Sequence, residues 1–288
     1  MGKSEKVKKS IWILVICVIV IALSVTALIV FRDNLFKQQA NFDSDIVIKR
    51  TDDQDPLKMP YKNEMADTSI LQLEKVSYEY RNKHQSVKAV NEFSYGFSQG
   101  LFYAITGKSG SGKTTLLSLM VGLDFPTEGI IKYEGKDLKD MNMDKYRRDY
   151  ISLIYQDYNL FPLLTVLENV MYPLKLKGEK TTEGKMLAME KLKMVGLDEP
   201  YYKRYPSMLS GGEQQRVAIA CALVTGSSIL LADEPTGNLD TENGNNIVAI
   251  LRDLAHNDKF CVIVVTHDLE IAYVADKMLS LRDGRLLL

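Results

Sequence analysis

The chain has 288 residues, 46% hydrophobic and 25% charged, which excludes an intrinsically disordered chain. Its 36 basic and 37 acidic residues leave a net charge of −1, so there is no basic footprint and no nucleic-acid partner is expected. Cys17, Cys221 and Cys261 form no spaced pair, which argues against a structural zinc and fits a reducing compartment.

Residues 1–10 carry Lys3, Lys6, Lys8 and Lys9 and form a basic N-terminus. Ile11 to Phe31 holds no charge and is almost wholly apolar. A helix of that length rises about 30 Å, the thickness of a hydrocarbon core. A secretory signal peptide is the competing reading. Its apolar core would be shorter, and no small-x-small cleavage site clearly closes this run, so one transmembrane helix is expected at 11–31. Residues 32–68 are polar, charged and broken by Pro56 and Pro60, the composition of a linker.

From residue 69 to 288 the pattern is that of a folded domain. "ILQLEKVSYEY" and "VKAVNEFSYGFS" read as strands, and "LFYAIT", bounded by Gly100 and Gly107, as a short buried one. "TTLLSLMVGL" reads as a helix. The runs "ISLIY", "SILLAD", "CVIVVTH" and "KMLSLRDG" follow, separated by helical stretches. Such alternation predicts an α/β core with a largely parallel sheet. Between about 157 and 213 the pattern is helical only, and a small helical subdomain is expected there.

"LFYAITGKSGSGKTTLL" places a glycine-rich loop between a buried strand and a helix. Glycines let the backbone wrap a phosphate with its N–H groups turned inward. Candidate contacts are Gly107, Ser109, Gly110, Ser111, Gly112, Lys113, Thr114 and Thr115. Lys113 is placed to meet the β- and γ-phosphates, and the Thr114 hydroxyl to ligate Mg²⁺. "SILLAD" then runs into Asp233 and Glu234. At a strand's carboxyl end beside a phosphate loop, Asp233 suits Mg²⁺ and Glu234 suits a general base that polarises the attacking water.

His267 ends another buried strand at the same predicted edge and could donate to a γ-phosphate oxygen; Asp268 is a candidate cap for the next helix. Gln156 leaves the core where the helical insert begins. A neutral amide there can touch Mg²⁺ or the water, or sense γ-phosphate, yet spacing alone does not separate it from an ordinary loop glutamine. His84 and His256 sit in polar settings and carry no assigned role. The stretch "LSGGEQQR" opens an apolar helix with Ser210, Gly211 and Gly212. Helix N-terminal amides attract anions. The stretch lacks a lysine and a preceding strand, so it is expected to close over a nucleotide held by another chain. Plain capping by Ser210 would explain the serine but not the paired glycines.

In their order, "GKSGSGKT", Gln156, "LSGGEQQR", "ILLADE", "GNLD" and His267 resemble the ATP-binding cassette (ABC) ATPases, from about Ile70 to Leu288. The longer "DEPTGNLD" and "YQDYNLFPLLTVLENV" are similar to the subgroup serving macrolide exporters, lipoprotein-release systems, antimicrobial-peptide transporters and the cell-division ABC complex. The resemblance implies a P-loop NTPase fold: a RecA-like core, an antiparallel β region and a helical subdomain. It implies ATP and Mg²⁺ as ligands, a second cassette (identical or not) and membrane permease subunits as partners. Two cassettes would pair head to tail around two ATP molecules. Tyr80 falls where the family stacks an aromatic ring on adenine, with Tyr78 as its rival. Asn238, Leu239 and Asp240 fall on the loop that crosses between sites. Leu101 and Cys221 depart from the family's usual Glu and Arg, away from the nucleotide.

The expected function is ATP hydrolysis that drives membrane partners to export or extract a peptide, lipoprotein or drug. The alternative is a non-transport membrane complex that uses ATP-dependent pairing as a signal. The expected place is the cell membrane with the cassette on its cytoplasmic face. The basic N-terminus would also stay cytoplasmic by the positive-inside rule, so one span at 11–31 leaves its topology open.

Overall fold

The computed structural model describes residues 69–81 and 86–287. The transmembrane helix expected at 11–31, the linker at 32–68 and His84 lie outside them. Among the described residues no helix is long and apolar enough to cross a membrane.

The chain order is β1 (Leu71–Arg81), β2 (Ser86–Phe97), β3 (Phe102–Thr106), α1 (Lys113–Val121), β4 (Glu128–Tyr133), β5 (Lys136–Asp137), α2 (Met143–Asp149) and β6 (Ile151–Ile154). Three helices follow, α3 (Val166–Lys177), α4 (Thr181–Met194) and α5 (Gly211–Leu223). The order then runs β7 (Ile229–Asp233), α6 (Thr241–His256), β8 (Cys261–Thr266), α7 (Leu269–Val274), β9 (Lys277–Arg282) and β10 (Arg285–Leu287). Among the described residues, no strand lies between β6 and β7.

Two sheets form. The six-stranded sheet has the order β10-β9-β3-β8-β7-β6. Its pairs are parallel except β10 with β9, which is a hairpin. The other sheet, β2-β1-β4-β5, is antiparallel. Parallel neighbours need long crossovers, and the helices supply them.

The twofold period of a strand sorts the central strands into two cores. Tyr103, Ile105, Ile229, Leu231, Cys261, Ile263 and Val265 face one side, where they pack with α1 and the antiparallel sheet. Phe102, Leu230, Ala232, Val262 and Val264 face the other, with α3, α4, α5 and α6. Burial on both faces is why these strands read as continuous apolar runs.

The carboxyl end of α1 shows how one element completes another. A helix leaves its last carbonyls without intrahelical partners. Gly122, at φ 72, turns the chain out and returns its N–H to the carbonyls of Leu119 and Ser118. From α2, the Tyr146 hydroxyl donates to the Met120 carbonyl at 2.9 Å, and Arg147 donates to the Gly122 carbonyl at 2.6 Å. Tyr146 is fully buried. Tyr146→Phe strands the Met120 carbonyl without water, at a cost of about 1–2 kcal/mol. Thermal unfolding should show a Tm lower by about 3–6 °C, with the secondary structure unchanged.

Candidate active site

The strand order sets the site. β3, β8, β7 and β6 are consecutive neighbours and point the same way, so their carboxyl ends share one edge. Thr106 pairs with Thr266, and Asp233 with Val265. The residues that follow each strand are Gly107, His267, Glu234 and Tyr155–Gln156. At about 4.8 Å per strand step, they span about 14 Å.

The loop after β3 is wrapped tightly. A Cβ on Gly107 would overlap the Leu281 carbonyl and approach the Ser111 hydroxyl. Gly112, at φ 102, could not carry a Cβ against the Ala89 carbonyl. Ser109 and Gly110 are exposed, Ser111 is buried, and its hydroxyl has no hydrogen-bond partner among the described residues. Lys113 turns back to donate to the carbonyls of Gly107 (2.7 Å) and Lys108 (3.1 Å). An orphan hydroxyl, a cation held by its own loop and a glycine cradle fit a phosphate chain. Thr114, in the first turn of α1, is exposed.

Two consecutive carboxylates at the end of β7 serve different neighbours. Glu234 sits at φ 46, a left-handed conformation unusual for a side chain beyond Asn, Asp or Gly, at a cost on the order of 1 kcal/mol. The Glu234 carboxylate goes to the end of β8. Its Oε2 accepts from the Thr266 hydroxyl (3.1 Å) and the His267 N–H (3.3 Å). Its Oε1 lies 2.8 Å from His267 Nδ1. A carboxylate only accepts, so the imidazole proton sits on Nδ1. Asp233 faces the phosphate loop instead. Burial, then the charge of Glu234, pushes its carboxyl above the usual range; Lys113 and a hydrogen bond with Thr114 pull it back. Both expected carboxylates therefore meet α1 and β8 as the strand order requires.

Gln156 lies two residues past β6 and is exposed. Its Nε2 donates to Asn238 Oδ1 (3.4 Å), and Asn238 Nδ2 donates back to the Gln156 carbonyl (3.3 Å). Gln156 is thus joined to the 237–240 loop. Asp240 caps α6: its carboxylate accepts from the Asn243 N–H (2.9 Å) and from Asn243 Nδ2 (2.7 Å). These bonds, the backbone one first, hold its carboxyl below the usual range.

Ser210 caps α5 reciprocally. Its hydroxyl accepts from the Glu213 N–H (3.3 Å), and Glu213 Oε2 accepts from the Ser210 N–H (2.7 Å). The glycines that capping leaves unexplained have a cause within the chain. A Cβ on Gly212 would run into Asn243, and one on Gly211 would come within 2.8 Å of the Tyr158 hydroxyl and 3.2 Å of Leu239. None of these nearest neighbours belongs to the phosphate loop. Asn243 and Tyr158 were not singled out in the sequence; an Asp-x-x-Asn helix start was the available signal for Asn243.

The two tyrosines separate. Tyr80 is 49% exposed and its hydroxyl lies 3.3 Å from Thr115 Oγ1, beside the start of α1. Tyr78 packs partly into the core and meets the Tyr80 ring edge-on at 4.9 Å. As expected, Asp268 caps α7 through the Glu270 N–H. His256 instead pairs with Asp276 at 2.8 Å, away from the strand ends that hold the carboxylates.

Residues 90–237 match the ABC transporter family. The uncharacterized ABC transporter ATP-binding protein YclH of Bacillus subtilis (strain 168) is 42% identical over 216 residues, 75% of this chain and 95% of YclH. The uncharacterized ABC transporter ATP-binding protein MJ0796 of Methanocaldococcus jannaschii is 41% identical over 221 residues, covering 75% and 94%. Two dimeric MJ0796 structures, one a post-hydrolysis state bound to ADP and Pi, each align with TM-score 0.69 at 39% identity, over 75% of this chain and 96% of theirs. CbiO1 from Clostridium perfringens, part of the ABC transporter complex CbiONQ, aligns with TM-score 0.70 at 27% identity, over 77% and 88%. The strand edge with its glycine loop, paired carboxylates and histidine, together with these relatives, makes the chain a member of the ABC transporter family, an ATP-binding ATPase subunit with the P-loop NTPase fold of the cassettes.

Proposed function

We propose that two cassettes pair head to tail and hydrolyse ATP at composite sites. In each, the phosphate loop of one chain and the Ser210–Gly212 amides of the other grip the same γ-phosphate. The carrying observation is the separation of these two anion sites within one chain: the nearest neighbours of Gly211 and Gly212 are Tyr158, Asn238, Leu239 and Asn243. A second chain is the simplest source of the missing half. The dimeric MJ0796 cassettes support this reading.

Residue roles follow from chemistry. Gly107, Ser109, Gly110, Ser111 and Gly112 present backbone amides to the phosphates, Lys113 supplies charge, and Thr115 closes the helix start. The exposed ring of Tyr80 receives the adenine. Thr114, Asp233 and Gln156 offer the hard oxygens that Mg²⁺ prefers. When bound, Mg²⁺ neutralises charge on the β- and γ-phosphate oxygens. Glu234 takes a proton from the attacking water as it adds to the γ-phosphorus, and ADP leaves. The exposed His267 ring, now on Glu234 Oε1, is free to rotate to a γ-phosphate oxygen, which releases Oε1 for that water. Asp240 shapes the loop that crosses between the two sites.

Residues 69–288 act as the cassette and about 157–213 as its helical subdomain, a reading supported by the strand-free stretch between β6 and β7. Exposed Phe161 and Leu163, on a loop that Asn169 holds by four hydrogen bonds, offer an apolar contact to a permease. CbiO1, as part of a larger transporter complex, supports a permease partner. The cassette works on the cytoplasmic face of the membrane, where ATP is. The likeness of "DEPTGNLD" to exporter and extraction subunits supports a peptide, lipoprotein or drug as cargo.

Glu234→Gln should bind ATP normally, lose at least about 100-fold of phosphate release, and elute as a dimer when loaded with ATP. A monomer under conditions that preserve its membrane partners overturns the composite site. Lys113→Ala should lose nucleotide affinity by equilibrium binding.

Asp233 gives a pH-dependent check. Its raised carboxyl favours the protonated form, so the stability it adds is full below about pH 4 and is lost as pH rises through the folded value. At pH 7 the ionised group weakens the nucleotide-free protein, as a metal ligand waiting for its cation would. Asp233→Asn should raise the nucleotide-free Tm at about pH 7–8, with the gain shrinking as the pH is lowered through the raised carboxyl's range, while ATPase activity is lost.

A further inference from the structure

The hairpin β9–β10 takes no part in the reaction itself, yet it touches the phosphate loop. Its turn is Asp283–Gly284, with φ 49 and 75 and Arg282 paired with Arg285. Two left-handed residues in a two-residue connection make a type I′ turn, which Asp-Gly favours. Gly284 is buried. Its N–H donates to the Ser111 carbonyl at 3.0 Å, and its carbonyl accepts from the Asn91 N–H at 2.9 Å. A Cβ on Gly284 would lie 2.7 Å from the Ala89 carbonyl and 3.1 Å from Val90 Cα. Ala89 is also the residue that leaves Gly112 no room for a Cβ, and the Gly284 Cα lies 3.6 Å from that same Cβ position. Leu281, in β9, closes on Gly107 from below.

We propose that Gly284 is a positioning residue for the phosphate loop, holding the Ser111 carbonyl so that the amides around it stay turned toward the nucleotide. The loop is gripped at Gly107 by β9, at Ser111 by the β9–β10 turn and at Gly112 by β2. Of these three contacts, among the described residues, the one at Ser111 is the hydrogen bond, and a Cβ on its donor would lie 2.7 Å from the Ala89 carbonyl. Ser111 is the loop residue whose hydroxyl is buried without a partner among the described residues, so displacement of its backbone moves a group aimed at the ligand. The inference rests on the reading that this loop binds ATP.

The fold contains its own control. β4 and β5 are joined by Glu134–Gly135, with φ 47 and 77 and Tyr133 paired with Lys136, the same turn at an exposed position. A Cβ on Gly135 meets nothing within 4 Å. Gly135→Ala therefore measures turn strain alone, and Gly284→Ala measures turn strain plus the loop. Both variants, made in the full chain, should lower Tm. Gly284→Ala should raise the Kd for ATP and for ADP at least tenfold and raise KM in parallel, with kcat at saturating ATP within about threefold, the pattern of lost uniform binding. Gly135→Ala should leave all of these within about twofold. Equal effects of the two variants on Kd overturn the proposal, whereas loss of binding in Lys113→Ala alone would leave the ATP site standing. If Gly284→Ala does not fold, amide exchange on the wild-type chain decides. ADP should slow exchange at Gly284 together with residues 110–114 and leave Gly135 unchanged, and an indifferent Gly284 amide overturns the proposal.

Discussion

Parallel pairing of β3 with β8 and of β8 with β7 is the constraint from which the site follows. Parallel neighbours in register bring the same end of every strand to the same edge, and the chain must leave each strand there. Thr106 against Thr266 and Asp233 against Val265 put the glycine loop, the histidine and the two carboxylates within two strand steps. No single residue chooses that edge. It is chosen by apolar burial on both faces of the central strands, which keeps them straight, adjacent and dry.

The edge is then refined by local backbone. The left-handed conformation of Glu234 sends two adjacent carboxylates to different neighbours, although the charge of Glu234 still helps push the Asp233 carboxyl up. One reaches the phosphate loop and the other reaches Thr266 and His267. The same economy joins the loops at the far end. Asn238 holds Gln156, Asp240 holds Asn243, and Asn243 abuts Gly212. Gln156 is thereby joined, through the 237–240 loop and Asn243, to the start of α5.

Much of this was legible in the residues. The phosphate loop, the strand ends at Asp233 and His267, the caps by Ser210 and Asp268, and the helical stretch before β7 follow from short apolar runs, glycine spacing and cap chemistry. The antiparallel sheet was legible only in part. β4 buries only Ile131 and Tyr133, and its second residue is Gly129 at φ 83, so its pattern does not alternate cleanly. α2 is a short, charged helix whose two structural side chains, Tyr146 and Arg147, face another helix's end rather than a core stripe. Neither has a periodicity long enough to register.

The sequence by itself determined which residues form buried strands, where the phosphate loop lies and which side chains can do acid–base and charge work there. Those properties are local, set by spacing along the chain and by the preferences of each residue type. Tertiary structure alone decided the order of the strands, the choice of Tyr80 over Tyr78 as the exposed ring, the reason for glycine at 211 and 212, and the reach of Gly284 to Ser111. Each of these depends on which distant backbone passes within a few ångströms, and that distance is fixed only once the sheets have closed on their cores.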